Sequence, residues 1–252
     1  MRNAFVRSVF IAAGALLCAT TASATSFSID TTVPGGSAWI DGSVGSINGT
    51  VNIVSQGVTE SAAIGRILLR GQRSDTPVGT LSDMPVFCID AIHWLASGVF
   101  VDQPLSYITA PGGVAQVTYS ASQLHDMLKF MVYAQGQGIT NQLTSAAAQL
   151  GIWEILNETG NNWDVSSGNF NVSLWSGPDA VGLANAWLSA APATSTAGYA
   201  LGVLDPGHGN QMQGYLTSAP VPEPASWAMM VAGFGALGAA LRRRKQGDAL
   251  FA

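Results

Sequence analysis

The segment Ser120–Glu158, which reads SASQLHDMLKFMVYAQGQGITNQLTSAAAQLGIWEILNE, decides the fold class. In its first half, apolar side chains recur at i, i+3, i+4 and i+7, the spacing of an amphipathic helix: Leu124, Met127, Leu128 and Met131. Ser120 or Ser122 suits the N-cap of that helix, and Gly136 and Gly138 suit its end. The pattern predicts a helix in the middle of the chain.

Two more helices are predicted downstream. One runs from about Leu143 to Glu158 with Asn141 as its cap, and another begins near Pro178. On either side of this helical region the sequence consists of short β-branched runs separated by turn signals, as in Phe27–Leu69. Strands, then helices, then strands predict an α+β fold, in this case a β-rich domain with a helical insertion.

The N-terminal region has the composition of a signal peptide. Arg2 and Arg7 precede an apolar run at 9–17, and small residues follow at 22–24. We expect signal peptidase to cleave between Ala24 and Thr25, so that residues 1–24 are removed and the mature chain is exported.

The C-terminal region has the composition of a membrane anchor. Residues 225–241 carry no charged side chain, and as a helix they would span roughly 26 Å, about the thickness of a thin bilayer core. Four cations follow as a stop-transfer signal: Arg242, Arg243, Arg244 and Lys245. Because such a cluster stays in the cytoplasm, we predict one transmembrane helix at 225–241 with its C-terminus inside.

The same tail carries a resemblance. Pro222, Glu223 and Pro224, followed by the apolar helix and the basic cluster, resemble the PEP-CTERM sorting signal of exported proteins in Gram-negative bacteria that make exopolysaccharide. The resemblance implies that an exosortase, a membrane protease-transpeptidase, recognises residues 222–246 and removes the helix. The anchor is then transient, and the protein ends in the cell envelope or outside the cell. This tail is also labelled an ice-binding-protein C-terminal domain, although nothing in these residues indicates ice binding. The alternative is an ordinary tail anchor after a chance Pro-Glu-Pro.

These end signals leave an exported domain at 25–205 and a linker at 206–221. Only four of the ten Lys and Arg residues lie in these two segments, against thirteen of the fifteen carboxylates. An acidic chain of this kind lacks the positive surface that phosphate binding requires. We therefore exclude nucleic acid as a partner.

No motif supports enzymatic activity. The G-x-G-x-x-G pattern at 233–238 lies inside the predicted membrane helix and not between a strand and a helix, which excludes a dinucleotide site. The three histidines, His93, His125 and His208, lack metal-ligand spacing, and no G-x-S-x-G or H-E-x-x-H segment occurs. We predict a non-enzymatic protein without a metal or cofactor.

Cys88 and Gln149 are the two residues with chemistry that the predicted fold leaves unexplained. Cys88 is the single cysteine of the mature chain, because Cys18 lies in the signal peptide, so it cannot form an internal disulfide. Gln149 lies on the apolar side of the second helix, whereas Glu154 and Glu158 share the predicted solvent face. A buried primary amide without a hydrogen bond costs about 1–3 kcal/mol, so Gln149 needs a specific interior partner.

An internal thioester would account for both residues. It would form by attack of the Cys88 sulfur on the Gln149 side-chain carbonyl, with loss of ammonia. The simpler alternative is that both residues have only structural roles. Cys88 is then a small buried apolar residue, and the side-chain amide of Gln149 is hydrogen-bonded to the backbone inside the core.

The two local segments carry a second resemblance. Phe87-Cys88-Ile89-Asp90-x-x-His93 and the helical AAAQLGIWE at 146–154 are similar to the two signature segments of bacterial thioester domains, which capture amines covalently. The resemblance implies that Cys88 is the thiol and Gln149 the acyl donor. Asp90 and His93 match only the cysteine motif and are candidate accessory residues. Gly151 departs from the alanine that is usual in the family.

Two functions follow as expectations. The first is an exported cell-envelope or matrix protein whose α+β domain attaches to a surface polymer or protein amine, through the thioester. The second is a non-covalent exopolysaccharide-binding or structural matrix protein with an inert cysteine. Four evenly spaced tryptophans could stack on sugars in that case, although core packing is the alternative: Trp153, Trp163, Trp175 and Trp187.

Overall fold

The structure, a computed structural model, describes residues 27–91, 93–109, 118–158, 160, 162–207, 212–218 and 232–235. The strands within these ranges are β1 Ser28–Asp30, β2 Ser37–Ile40, β3 Ile47–Ile53, β4 Val58–Ile64, β5 Ile67–Arg73, β6 Leu81–Cys88, β7 Val99–Gln103, β8 Phe170–Leu174, β9 Tyr199–Asp205 and β10 Gln213–Ser218. The α-helices are α1 Ser106–Thr109, α2 Ala121–Gln137, α3 Gln142–Asn157 and α4 Ala180–Ala190.

Six strands form a closed antiparallel barrel. Their order is β1-β7-β9-β10-β6-β5, and a pairing between β5 and β1 closes the ring. β2 pairs with the part of β5 that β1 leaves free, with Ile40 opposite Ile67. Closure satisfies the backbone groups that an open sheet would leave at its edges. The α+β expectation is therefore confirmed, with a β-barrel as its larger part.

A second, three-stranded sheet lies on the other side of α3, in the order β4-β3-β8. α3 contacts all three of these strands as well as β6 of the barrel, α2 and α4. Every residue from Ser145 to Leu156 is buried. A helix that is buried on all sides carries apolar side chains around most of its circumference, which explains the Ala, Leu, Ile and Trp residues of this segment.

The predicted helix caps are confirmed. Ser120 accepts a hydrogen bond from the Gln123 backbone N–H, and the Gln123 side chain accepts one from the Ser120 backbone N–H, which makes a capping box. Asn141 and Thr144 form the same arrangement at the start of α3.

The prediction that Glu154 faces solvent is wrong, because this side chain is fully buried. The chain after α3 turns back over the helix and supplies backbone donors to its two acidic residues. The Asp164 N–H donates to Glu154 Oε1 at 2.8 Å, and the Asn169 N–H donates to Glu158 Oε2 at 2.6 Å. The helical wheel alone does not contain this covering segment, so the prediction for Glu154 was wrong.

The boundary at residue 205 also needs correction. β10 lies inside the predicted linker 206–221, and it pairs with β9 along its length and with Cys88 and Phe87 of β6. These hydrogen bonds are part of the barrel, so the folded domain extends through Ser218.

The end signals lie mostly outside the described residues. This applies to the signal peptide 1–24 with its cleavage site, to the sorting motif at 222–224, and to the basic cluster at 242–245. Of the predicted membrane helix, residues 232–235 are described, as one helical turn. Within the described part of the chain, no helix has both the length and the apolar character to cross a membrane.

Candidate functional site

The side chain of Gln149 pairs with the backbone of Cys88. The Cys88 N–H donates to Gln149 Oε1 at 3.0 Å, and Gln149 Nε2 donates to the Cys88 carbonyl oxygen at 2.7 Å. Both residues are 1% exposed. The predicted interior partner of the Gln149 amide is therefore the main chain of the residue that bears the thiol.

The end of β5 explains why Cys88 needs this partner. β5 begins at Ile67, which lies opposite Val86 of β6, so β5 offers no residue opposite Cys88. In a strand, the backbone N–H and C=O of residues two apart point to the same side. Because Val86 faces β5, the N–H and C=O of Cys88 face the same side, where β5 has no residue to pair with them. The Gln149 carboxamide fills that position with one acceptor and one donor, as the backbone of a further strand residue would.

Burial determines the state of the thiol. The Cys88 S–H donates to the Asp90 carbonyl oxygen at 2.8 Å. Burial raises the pKa of the Cys88 thiol far above its usual range, and the nearby Asp90 charge adds to this shift. Hydrogen bonds with the Asp90 backbone and the Trp153 indole act in the opposite direction. Cys88 is therefore a protonated thiol in this environment.

Asp90 and His93 form a hydrogen-bonded pair beside the thiol. His93 Nδ1 lies 2.6 Å from Asp90 Oδ2, and the His93 backbone N–H donates to Asp90 Oδ1 at 3.3 Å. Asp90 is fully buried, whereas the His93 side chain is 29% exposed. The carboxylate thus fixes the imidazole ring from the interior side.

Cys88, Gln149 and His93 line a cavity of about 190 Å³, together with Trp153. The cavity is also lined by Trp39 of β2, Glu60 of β4, and Trp94 and Leu95 of the segment after β6. Trp39 and Trp94 are 71% and 70% exposed, so two indole rings lie at the rim of a pocket with a buried thiol and amide on its wall.

The environment of α3 explains Gly151. A Cβ atom placed on Gly151 would lie 2.0 Å from Cζ of Phe130, a fully buried ring on α2. The ring of Phe130 therefore occupies the space that an alanine methyl would need. Packing between α2 and α3 therefore requires glycine at position 151.

The structure thus places Cys88, Gln149, Asp90 and His93 together, although the pairs are distant in sequence. His125 is exposed on α2, away from this cluster, and His208 lies outside the described residues. Trp153 and Trp187 are buried, in line with core packing, and Trp175 is 60% exposed. Within the described ranges, no three His, Cys, Asp or Glu side chains are grouped as metal ligation requires.

The sequence interpretation did not single out three cavity residues: Trp39, Glu60 and Trp94. A signal for Trp39 was available, because it alternates with Ala38 and Ile40 in a predicted strand and so faces away from the side those two share. A single exposed aromatic of this kind is common, so only the spatial proximity of Trp39 to Trp94 at one cavity marks a binding surface.

Comparison with known proteins identifies one region. Residues 220–245 match the model of the PEP-CTERM protein-sorting motif. This match indicates an exported protein that is processed by an exosortase, a membrane protein, and that is held briefly at a membrane on its way to the envelope. No curated protein and no solved structure matches the chain.

Proposed function

We propose that the folded domain is a non-enzymatic surface-attachment module that forms a Cys88–Gln149 thioester and captures a primary amine with it. The observation that carries this proposal is the contact between the Gln149 carboxamide and Cys88 on the wall of a cavity. Sorting by the C-terminal motif would deliver this module to the cell envelope or the extracellular matrix.

The hydrogen bond from Cys88 N–H to Gln149 Oε1 supports acyl transfer at this amide. The donor is a fixed backbone group at 3.0 Å from the carbonyl oxygen, where negative charge develops when a nucleophile adds to the carbon. Formation of the thioester makes a C–S bond and breaks the C–N bond, and the thiol proton leaves with the amide nitrogen as ammonia. The reaction needs neither an oxidant nor a cofactor.

Burial supports the survival of such a bond. Both Cys88 and Gln149 are 1% exposed, so bulk water has little access to the acyl carbon. The cavity offers a route for a slender nucleophile. Attack by an amine would form an amide at Gln149 and release the Cys88 thiol, so each molecule reacts once.

The cavity lining favours a cationic, flexible amine such as a lysine side chain. Trp39 and Trp94 offer exposed ring faces that attract an ammonium group and cover an alkyl stem, and Glu60 contributes a carboxylate. Among the described lining residues there is no Lys or Arg to repel a cation. The target class is therefore a protein or polymer amine.

The test is methylamine labelling followed by peptide mass spectrometry. The wild-type domain is expected to gain one methylamine at Gln149, together with a thiol at Cys88 that is newly open to alkylation after denaturation. The matched variants C88S and Q149E keep the size of each side chain but lack the thiol or the amide, and they are expected to gain none. Absence of methylamine from wild-type Gln149 contradicts the proposal.

The exposure of Trp39 and Trp94 supports a second candidate, non-covalent binding of exopolysaccharide by stacking of sugar rings on the two indoles. In that case W39A and W94A would abolish retention on the polysaccharide, and C88S would bind as the wild type does. If C88S and the wild type bind polysaccharide equally and methylamine is not incorporated, this candidate replaces the first.

A further inference from the structure

We propose that His93 carries the proton that moves between sulfur and nitrogen when the Cys88–Gln149 thioester forms and when an amine opens it, and that Asp90 positions the His93 ring. This inference rests on the proposed function and assigns its proton-transfer residue.

The contact with Asp90 fixes the tautomer of His93. An ionised carboxylate only accepts hydrogen bonds, so the 2.6 Å contact from Asp90 Oδ2 assigns the ring hydrogen to Nδ1. The lone pair of the neutral ring is then on Nε2. Among the described residues Nε2 has no hydrogen-bond partner, which leaves it available as a base.

The cavity brings this base to the reacting groups. His93 lines the same cavity as Cys88 and Gln149. Glu60 is the other described carboxylate on the lining, and it is exposed on β4 without a hydrogen-bond partner that would position it. Of the two, His93 is the one that is held in place by a buried group.

The chemistry requires a proton carrier in both directions. In thioester formation, Nε2 takes the Cys88 thiol proton, sulfur adds to Cδ of Gln149, and the proton passes to the amide nitrogen, which leaves as ammonia. In capture, the amine adds to Cδ and gives a proton to Nε2, which returns it to sulfur as the C–S bond breaks. Because burial disfavours a free thiolate at Cys88, the departing sulfur depends on receiving that proton.

The experiment compares H93Q with the matched control H125Q, which replaces an exposed histidine on α2 outside the site. Intact mass reports thioester formation, and the rate of methylamine addition reports capture. General acid–base catalysis contributes about 100- to 10,000-fold, so H93Q is expected to lack the thioester or to react with methylamine at least about 100-fold more slowly. H125Q is expected to match the wild type.

A second arm separates proton transfer from a structural role. Free imidazole is expected to restore capture in H93A, because it supplies the missing base, and not in D90N, where the ring still fills the site. A structural defect would respond to imidazole in neither variant. If H93Q does not fold, rescue of H93A by imidazole still tests whether His93 carries the proton.

The outcomes distinguish this inference from the proposed function. A wild-type mass without loss of ammonia overturns the proposed function. A wild-type domain with the thioester, together with H93Q that forms the bond fully and captures methylamine at the wild-type rate, overturns the role of His93 alone.

Discussion

The Gln149 carboxamide lies beside Cys88 as the backbone of an additional strand residue would, with Oε1 3.0 Å from the Cys88 nitrogen and Nε2 2.7 Å from the Cys88 oxygen. This contact joins the central helix α3 to the last residue of β6. It has a structural consequence, because it satisfies two buried backbone groups, and a chemical one, because it holds the Gln149 carboxamide against the residue that bears the thiol. The two consequences can be tested separately.

Replacement of Gln149 by alanine tests the structural part. Q149A leaves the buried N–H and C=O of Cys88 without a partner, and each such group costs about 1–3 kcal/mol, so we expect its free energy of unfolding to be about 2–6 kcal/mol below that of C88A, which keeps both bonds. The measurement is denaturant unfolding.

C88A is the control for this experiment, because it removes the thiol and any thioester but keeps both backbone bonds to Gln149. We expect Q149A to be the less stable of the two variants. Equal stability would mean that the backbone pairing contributes nothing to folding.

Replacement of Gly151 by alanine tests the packing of α3 on α2. The added methyl would overlap the Phe130 ring, and overpacking of a core costs about 1–3 kcal/mol. We expect G151A to lower the thermal unfolding midpoint and F130L to recover part of the loss in the double variant.

Gly136 provides the matched control, since a Cβ at this position on α2 meets no atom within 4 Å. G136A is expected to be neutral or to gain up to about 1 kcal/mol from helix propensity. A G151A protein as stable as G136A would contradict the assigned role of Phe130.

The raised pKa of Glu154 predicts that the free energy of unfolding falls as pH rises above 4.5. Burial, more than the nearby Glu158 and Asp164 charges, raises the pKa of Glu154 from 4.5 to about 8. Between these values the folded state holds a proton that the unfolded state has lost, so stability is full below pH 4.5 and falls as pH rises toward 8. The slope is at most about 1.4 kcal/mol per pH unit.

E154Q removes this titration and keeps an acceptor for the Asp164 N–H. We expect the variant to be more stable than the wild type at pH 8 and above, with a flatter profile of unfolding free energy between pH 5 and 8. E60Q, at an exposed carboxylate, is the control and should follow the wild-type profile. If the unfolding free energy of E154Q depended on pH in the same way as that of the wild type, the result would show that Glu154 is not buried in solution.

Substitution of the sorting motif tests the fate of the tail. Replacement of Pro222, Glu223 and Pro224 by alanine is expected to leave the full-length protein in the inner membrane, because the exosortase no longer recognises it. Fractionation and immunoblotting of the native host measure this. Normal release of the variant would contradict sorting through this motif.

Local patterns were sufficient to predict the helices, and long-range pairing was not predictable. Ser120 and Asn141 act as caps within their own segments, so the sequence contains the whole interaction. The need of Gln149 for a partner also followed from its position on an apolar helix face. The resemblance to thioester domains pointed to Cys88 as that partner, but pairing with the Cys88 backbone was not predicted, because it depends on where β5 ends opposite β6, which is a matter of register between strands.

The errors have the same origin. Glu154 was assigned to solvent because a helical wheel cannot include the segment that folds over it, which donates the Asp164 N–H. Trp39 and Trp94 are separated in sequence, so their common cavity appears only when β2 and the segment after β6 are placed side by side. Sites built from several elements require the tertiary structure.

The intact mass of the mature domain, purified under native conditions without amines, tests the central claim most directly. The account predicts a wild-type mass that is one ammonia lighter than the sequence requires, and C88S and Q149E variants with the unmodified mass. A wild-type mass equal to that of the unmodified sequence would contradict the thioester.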